Sequence, residues 1–149
     1  MDTIEIIARA VIVDENIGKV LFCAPKNKSH YFLPGGHIEF GEEAIPALRR
    51  ELLEEMGRDI PDKNFFFAGA SENFFTQEGE KHHEINLFFR VDDNFISSRQ
   101  VNSEEEHIIF EWISFSDMDK FPILPKPILL MLEKWSKGND ILWNNEKHI

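Results

Sequence analysis

The stretch GHIEFGEEAIPALRRELLEEMG, residues 36–57, constrains the fold more than any other part of the chain. Pro34, Gly35, Gly36 and Gly41 punctuate its approach as loop with short extended pieces. Glu42 and Glu43 then favour a helix N-terminus, Pro46 is acceptable only near a first turn, and Gly57 is placed to end the helix. At about 100° per residue, with Glu51 at zero, Glu54 falls at about 300° and Glu55 at about 40°, so the three carboxylates share one edge. Ala44 and Ala47 carry only small side chains on that edge one turn earlier, while Ile45, Leu48, Leu52 and Met56 form the adjoining apolar stripe. Such a helix lies on a sheet with its acids gathered at the border of the buried face. Like charges at this spacing cost an isolated helix roughly 0.2–0.5 kcal/mol per pair. Two readings account for them: a solvated acidic face, or compensation by Arg50 and a divalent ion shared between carboxylates.

Around this helix the chain reads mostly as strands. TIEIIARAVIVDE and GKVLFCAP are rich in β-branched and aromatic residues and are separated by the turn residues Asn16 and Gly18, which predicts a hairpin. After Pro61, NFFFAGASENFFT and HHEINLFFRV predict two long strands joined by the polar QEGEK, and HIIFEWISF predicts another. Ile128, Leu129, Leu132 and Trp135 return to helical spacing behind Pro125 and Pro127, with Gly138 as the stop. The tail NDILWNNEKHI reads as a final turn or strand, or as a segment presenting Trp143 to a partner. No repeat or low-complexity tract marks a linker, so one domain over residues 1–149 is expected.

Charge and cysteine usage narrow the function. The formal net charge of −11 disfavours nonspecific binding to a nucleic-acid backbone, and a phosphate-bearing ligand would need a local cationic correction. Cys23 stands alone, and Met1 is followed by Asp2 and Glu5 rather than by a basic and then apolar leader. No stretch has the apolar length of a membrane span. These features predict a reduced, cytoplasmic protein with no membrane partner; homo-oligomerisation stays open.

The full pattern from Gly36 to Gly57 closely resembles the Nudix box: glycine, five residues, glutamate, seven residues, arginine-glutamate, an aliphatic residue, one more, two glutamates, another residue and glycine. Gly36, Glu42, Arg50, Glu51, Leu52, Glu54, Glu55 and Gly57 fill those places, and Ala47 and Leu48 suit the small and aliphatic positions. The box usually closes with an aliphatic residue after the last glycine, and here Arg58 stands there, which puts the anchoring of the next loop in question. The resemblance extends over most of the chain. It implies an α/β (α+β) fold with a mixed β-sheet sandwiched between helices and the box as a loop–helix–loop catalytic motif. It further implies hydrolysis of the pyrophosphate bond in a nucleoside diphosphate linked to another moiety: a nucleoside triphosphate, a nucleotide sugar or a dinucleotide. By resemblance, Glu51, Glu54 and Glu55 are metal ligands for Mg²⁺ or Mn²⁺, the carbonyl of Gly35 is a further ligand, Arg50 orients the carboxylates and Glu42 supports them. A nonhydrolytic nucleotide-sensing module and an RNA-end pyrophosphohydrolase are the competing functions.

A pyrophosphate bond is kinetically inert because its negative oxygens repel a nucleophile, and divalent ions both screen that charge and acidify a bound water. The general base is less constrained. SEEEHIIFEW offers Glu104, Glu105 and Glu106, of which Glu106 and then Glu105 are favoured, and Glu84 in HHEIN is another candidate. His82 and His83 are adjacent on a strand, point to opposite faces and do not readily share a metal. Arg9, a charge inside IIARAVIV, is a phosphate-contact candidate because burying it without an anion is costly. Lys26, Lys28 and His30 precede the glycine loop and are weighed as phosphate contacts against plain solvation. Tyr31, Phe40, Phe74 and Phe75 are candidates to stack on a base, with core packing the alternative for each.

Overall fold

A computed structural model of the chain describes residues 2–92, 101–136 and 143–147. In chain order the elements are β1 (Ile4–Val11), β2 (Val13–Asp14), β3 (Lys19–Pro25), β4 (Gly35–His37), α1 (Ala44–Met56), β5 (Phe65–Gln77), β6 (Glu80–Val91), β7 (Ile108–Ser114), α2 (Pro127–Ser136) and β8 (Trp143–Lys147). Short 3-10 turns occupy Asp62–Asn64 and Phe115–Lys120. A five-stranded mixed sheet runs β4-β1-β6-β5-β8, and a three-stranded antiparallel sheet runs β2-β3-β7. Among the described residues no helix is long and apolar enough to cross a membrane.

The expected hairpin between the first two strands is realised over two residue pairs only, Val13 with Val20 and Asp14 with Lys19. β1 instead joins the larger sheet, parallel to β6 from Ile4 opposite His83 to Val11 opposite Arg90, with β4 on its other side. The physical reason is its composition. Ile7, Ala8, Ala10 and Val11 are all buried although they point to both faces of the strand. A strand apolar on both faces is stable in the middle of a covered sheet, whereas a free hairpin leaves one face in water.

Two apolar clusters lie on opposite sides of the sheets. Leu48, Leu52 and Met56 of α1 pack with Ala8, Ala10, Leu21 and Phe89, and Ile128, Met131 and Leu132 of α2 pack with Val11, Val20, Phe22 and Phe88. Neighbouring residues on β3 and β6 thus serve opposite clusters, and the mixed sheet is sandwiched between helices. Burying Leu48 and Leu52 fully stabilises α1 by roughly 1.5–3 kcal/mol each, well above the repulsion among its acids. Gly57 ends the helix at φ 67°, its N–H donating to Leu53 O at 2.9 Å. The loop that follows Gly57 is anchored by Ile60, which is buried beside Leu52 and Met56. Arg49 ties the same loop to the helix through Asp59 at 2.7 Å and Asp62 at 3.2 Å.

The tail strand β8 adds to the edge of the larger sheet, parallel to β5 from Ala70 opposite Trp143 to Phe74 opposite Lys147. β5 and β6 form the long antiparallel pair that the sequence predicts, with a register shift between Phe67 and Gly69. They turn through Glu78 and Gly79, both at positive φ, which suits the twist of a tight hairpin.

Candidate active site

Arg50 organises the acidic edge of α1. Its guanidinium grips Glu42 with Nε to Oε2 at 2.9 Å and Nη2 to Oε1 at 3.0 Å, donates from Nη1 to Glu51 Oε1 at 2.9 Å, and reaches the His37 carbonyl at 3.2 Å. Glu54 Oε1 lies 3.5 Å from the same Nη1. The Arg50 fork, followed by the Glu39 N–H, holds the Glu42 carboxyl down at about 2. Bidentate pairing of this kind fixes direction as well as charge, so the loop before α1 and the first box glutamate on it are locked together.

The glycine pair of β4 sits under this cluster. A Cβ on Gly36 would come within 2.3 Å of Glu51 Cδ and 2.6 Å of both its oxygens. At Gly35, where φ is 143°, a Cβ would meet Ala8 O at 2.0 Å. Gly35 therefore requires glycine for the approach to the β1 backbone, whereas at Gly36 a methyl would displace the Glu51 carboxylate.

Glu55 has the unusual environment. It is 7% exposed, its Oε2 has no hydrogen-bond partner, and its pKa is pushed up to about 8 by burial first and by the Glu51 charge second. Arg9 and a hydrogen bond from the Gly35 backbone oppose that shift. Glu51 is largely covered and Glu54 is 53% exposed. Among the described residues no three His, Cys, Asp or Glu side chains are already gathered closely enough to hold one ion. The donor chemistry nevertheless fits a hard divalent cation. Glu51 and Glu55 repel each other and one Glu55 oxygen is without a partner, and a cation satisfies both conditions.

The loop before β7 docks on the C-terminal end of this helix. Glu104 N donates to Glu55 O at 2.8 Å, and Ser103 Oγ approaches the same carbonyl at 3.5 Å. Ser103 also bonds the Glu105 backbone at 2.7 Å and 3.0 Å, which fixes the turn. Glu105 is partly covered, its charge raises the Glu55 pKa, and His107 Nε2 lies 3.2 Å from its Oε2. Glu106, the first choice from sequence, is exposed; Glu105 is the member of the run whose charge is felt at Glu55.

Arg9 links this cluster to a cleft of about 420 Å³. It pairs with Gly35 in the β1–β4 register, donates to Leu33 O at 3.1 Å and to Asn86 Oδ1 at 3.4 Å, and has its guanidinium 5.7 Å from the Phe32 ring centroid. Burial lowers its pKa, with Glu84 the foremost opposing charge. The cleft is lined by Arg9, Phe32, Asn73, Phe75, Glu84 and Lys126 among others.

The other candidates separate clearly. His30 borders the cleft, whereas Lys28 lies in the exposed loop, 3.9 Å from Glu111, and Lys26 is exposed in the same loop. Tyr31 is a core residue, 3% exposed and edge-on to Phe121 at 5.4 Å; burial, then Glu111, pushes its pKa up to about 12. Phe40 is fully exposed on its loop. Phe74 faces away from the cleft, stacked on His83 at 4.0 Å, while Phe75 lines the cleft with its ring parallel to His82 at 4.8 Å. The two adjacent histidines indeed part: His82 meets Glu5 at 3.2 Å and His83 meets Glu72 at 2.8 Å. Glu84 is in the cleft, directly opposite Asn73. The sequence reading passed over Ser71, Asn73 and Asn86. The available signal was polar residues two apart, hence on one face of a strand, at 71 and 73 in one strand and 84 and 86 in the other.

Comparison with known proteins agrees with this fold. The model of the NUDIX domain matches residues 5–132. Nucleoside triphosphatase NudI of Escherichia coli O139:H28 is 29% identical over 112 residues, covering 70% of this chain and 79% of that protein. The m7GpppN-mRNA hydrolase of Saccharomyces cerevisiae is 29% identical over 113 residues, 74% of this chain, but the chain spans only 11% of its length. Among solved structures, the MutT NUDIX hydrolase from Burkholderia pseudomallei superposes with a TM-score of 0.69 at 19% identity, over 89% of this chain and 98% of that one. A C. elegans Ap4A hydrolase complex gives 0.64 at 20% identity, over 90% and 96%. With its box residues set on a loop, a helix and a following loop in this fold, the chain belongs to the Nudix family.

Proposed function

We propose that the chain hydrolyses the pyrophosphate bond of a small nucleotide with the help of a divalent cation, Mg²⁺ or Mn²⁺. The observation that carries this reading is the buried Glu55 oxygen without a partner, set against the Glu51 charge and within the field of Arg9, which lines the cleft. Glu51, Glu54 and Glu55 would hold the ion, with the Gly35 carbonyl as a further oxygen donor. When bound, such an ion screens the diphosphate oxygens and acidifies a water.

The chain's own residues supply the rest. Arg50 keeps Glu51 oriented by pinning it to Glu42 and to the loop before α1. Arg9, half-buried and held near Glu84 and Asn86, meets a phosphate oxygen of the substrate. Glu105 accepts the proton of the attacking water; its placement by the Ser103 turn and its effect on Glu55 favour it over the exposed Glu106. The water oxygen bonds to one phosphorus, the bridging P–O bond breaks, and the other phosphate leaves with the bridging oxygen. A rigid helix and a docked loop hold these groups in place for in-line attack. The nucleoside triphosphatase and Ap4A hydrolase named above favour nucleotide substrates.

Similarity to the yeast mRNA hydrolase supports a second reading, cleavage at an RNA end. The net charge of −11 weighs against it. A panel of nucleoside triphosphates, nucleotide sugars, dinucleoside polyphosphates and capped RNA, with Mg²⁺, Mn²⁺ or chelator, separates these readings. We expect metal-dependent turnover of a soluble nucleotide. Glu54→Gln should lower it by on the order of a hundredfold or more, since even outer partners of metal ligands are worth about ten- to a hundredfold. Nucleotide binding without cleavage across the panel would instead make the chain a sensing module.

A further inference from the structure

Two directly opposed cross-strand pairs, Ser71 with Asn86 and Asn73 with Glu84, lie side by side on one face of the β5–β6 ribbon, and the second pair lines the cleft. Ser71, Asn73 and Asn86 are buried, and Ser71 Oγ has no partner. Buried polar side chains such as these three are costly unless something polar meets them. Asn86 spends its amide on positioning: Oδ1 accepts from Arg9 Nε at 3.4 Å, and Nδ2 approaches Glu84 Oε2 at 3.5 Å. Asn73 and Glu84 are the pair that fronts the cleft. Phe32 and Phe75 supply aromatic walls beside that polar pair, and Phe75 is itself backed by the parallel His82 ring. Flat aromatic walls with a line of hydrogen-bonding groups match a heterocyclic base, and the cleft has the volume of a small-ligand site.

We propose that Asn73 and Glu84 read the base of the substrate and select guanine. This rests on the pyrophosphohydrolase reading above. A carboxylate is acceptor-only and has two adjacent oxygens, so it demands two adjacent donors. Guanine alone among the common bases offers them, N1–H beside the N2 amino group, with O6 next in line for the Asn73 amide N–H. Adenine sets the N1 lone pair against a Glu84 oxygen, cytosine sets N3 and O2 there, and uracil sets a carbonyl. The Asn73 amide can rotate to suit either sense, and Glu84 cannot. The Arg9 charge acts on Glu84 in the cleft and on Glu51 and Glu55 of the box, so Arg9 is the group that couples a base held by Asn73 and Glu84 to the box carboxylates.

The competing role for Glu84 is simple charge balance for Arg9. Steady-state kcat/KM for GTP, ITP, ATP and XTP, with Mg²⁺, distinguishes the two. For the unaltered protein we expect GTP to exceed ITP, which lacks only the 2-amino group, by on the order of tenfold or more, with ATP lower still. Glu84→Gln turns the acceptor-acceptor edge into acceptor-donor, which complements xanthine, so the GTP-to-XTP preference should invert. A change in charge balance alone would move all four nucleotides together. Equal use of GTP and ITP by the unaltered protein overturns the proposal whether or not the variant folds, as does a GTP-to-XTP ratio that the variant leaves unmoved. If none of the nucleotides is cleaved under any metal condition, the pyrophosphohydrolase reading itself fails.

Discussion

Replacing Glu55 with glutamine should make the metal-free protein more stable while removing its function. The carboxyl ionises near 4.5 in the ordinary case and at about 8 here, because burial and the Glu51 charge both penalise the anion. Below pH 4.5 both the folded and the unfolded chain carry it protonated, so it costs nothing. Between the two values only the unfolded chain ionises, and stability falls as pH rises; above about 8 the loss levels off. At about 1.4 kcal/mol per pH unit the ceiling of that loss is about 5 kcal/mol, and structural relaxation with water entry brings the expected value to about 2–3 kcal/mol. Glu55→Gln keeps the shape and an oxygen for the Gly35 N–H but has no charge to bury. Denaturation in chelator from pH 4 to 9 should show the two proteins nearly equal at pH 4 and the variant ahead by roughly 5–10 °C in Tm at pH 8. Mg²⁺ should close the gap by stabilising the unaltered protein alone. A gap independent of pH, or a variant less stable at pH 8, would refute the account of Glu55 as a buried carboxyl awaiting a cation.

Other consequences are as direct. Gly36→Ala places a methyl 2.3 Å from Glu51 Cδ, so the carboxylate must swing off Arg50; we expect about 1 kcal/mol or less of stability to be lost but a tenfold or greater fall in divalent affinity by titration calorimetry, on the order of other changes around metal ligands. Glu42, held at about 2 by Arg50, contributes stability that is present above its ordinary 4.5 and is lost as pH falls through about 2. Acid denaturation of Glu42→Gln against the unaltered protein should therefore show a difference at pH 6 that vanishes by pH 2. Glu105→Gln should lower kcat with little change in metal affinity, measured by activity and calorimetry together, whereas Glu106→Gln should leave both nearly unchanged.

The parts of the fold that were legible in sequence were those set by local rules. The α1 boundaries followed from its apolar spacing, from Pro46 and from Gly57, and the β5–β6 ribbon followed from two long runs around a polar turn. What sequence left open depended on partners far along the chain. An apolar strand such as β1 reads the same in a hairpin or in the middle of a sheet, and only its pairing with β4 and β6 decides. Phe74 and Phe75 are chemically identical, and which one lines the cleft is a matter of register, since adjacent strand residues face opposite ways. Tyr31 was offered as a base contact because it lies near the glycine loop in sequence, but its ring completes the core under α2. The proposed preference for Glu105 over Glu106 rests on the Ser103 turn and on the Glu105 charge at Glu55, neither of which the run of three glutamates displays in sequence. The roles of the box carboxylates were suggested by motif, and Arg50 binding Glu42 and Glu51 is the part of that suggestion the side chains display.

β1 and β2 are separated by a single residue. One residue, Ile12, carries the backbone from one sheet into the other, with Arg9 committed to the cleft on one side and Val13 committed to β3 on the other. Lengthening or shortening the chain by a single residue there would turn one of those strands over, exchanging its inward and outward side chains. Exposed turns such as residues 15–17 can absorb changes of length, but this joint behaves like a keyed coupling, so a library with indels should be depleted at positions 11–13 far more sharply than one with apolar substitutions at the same positions.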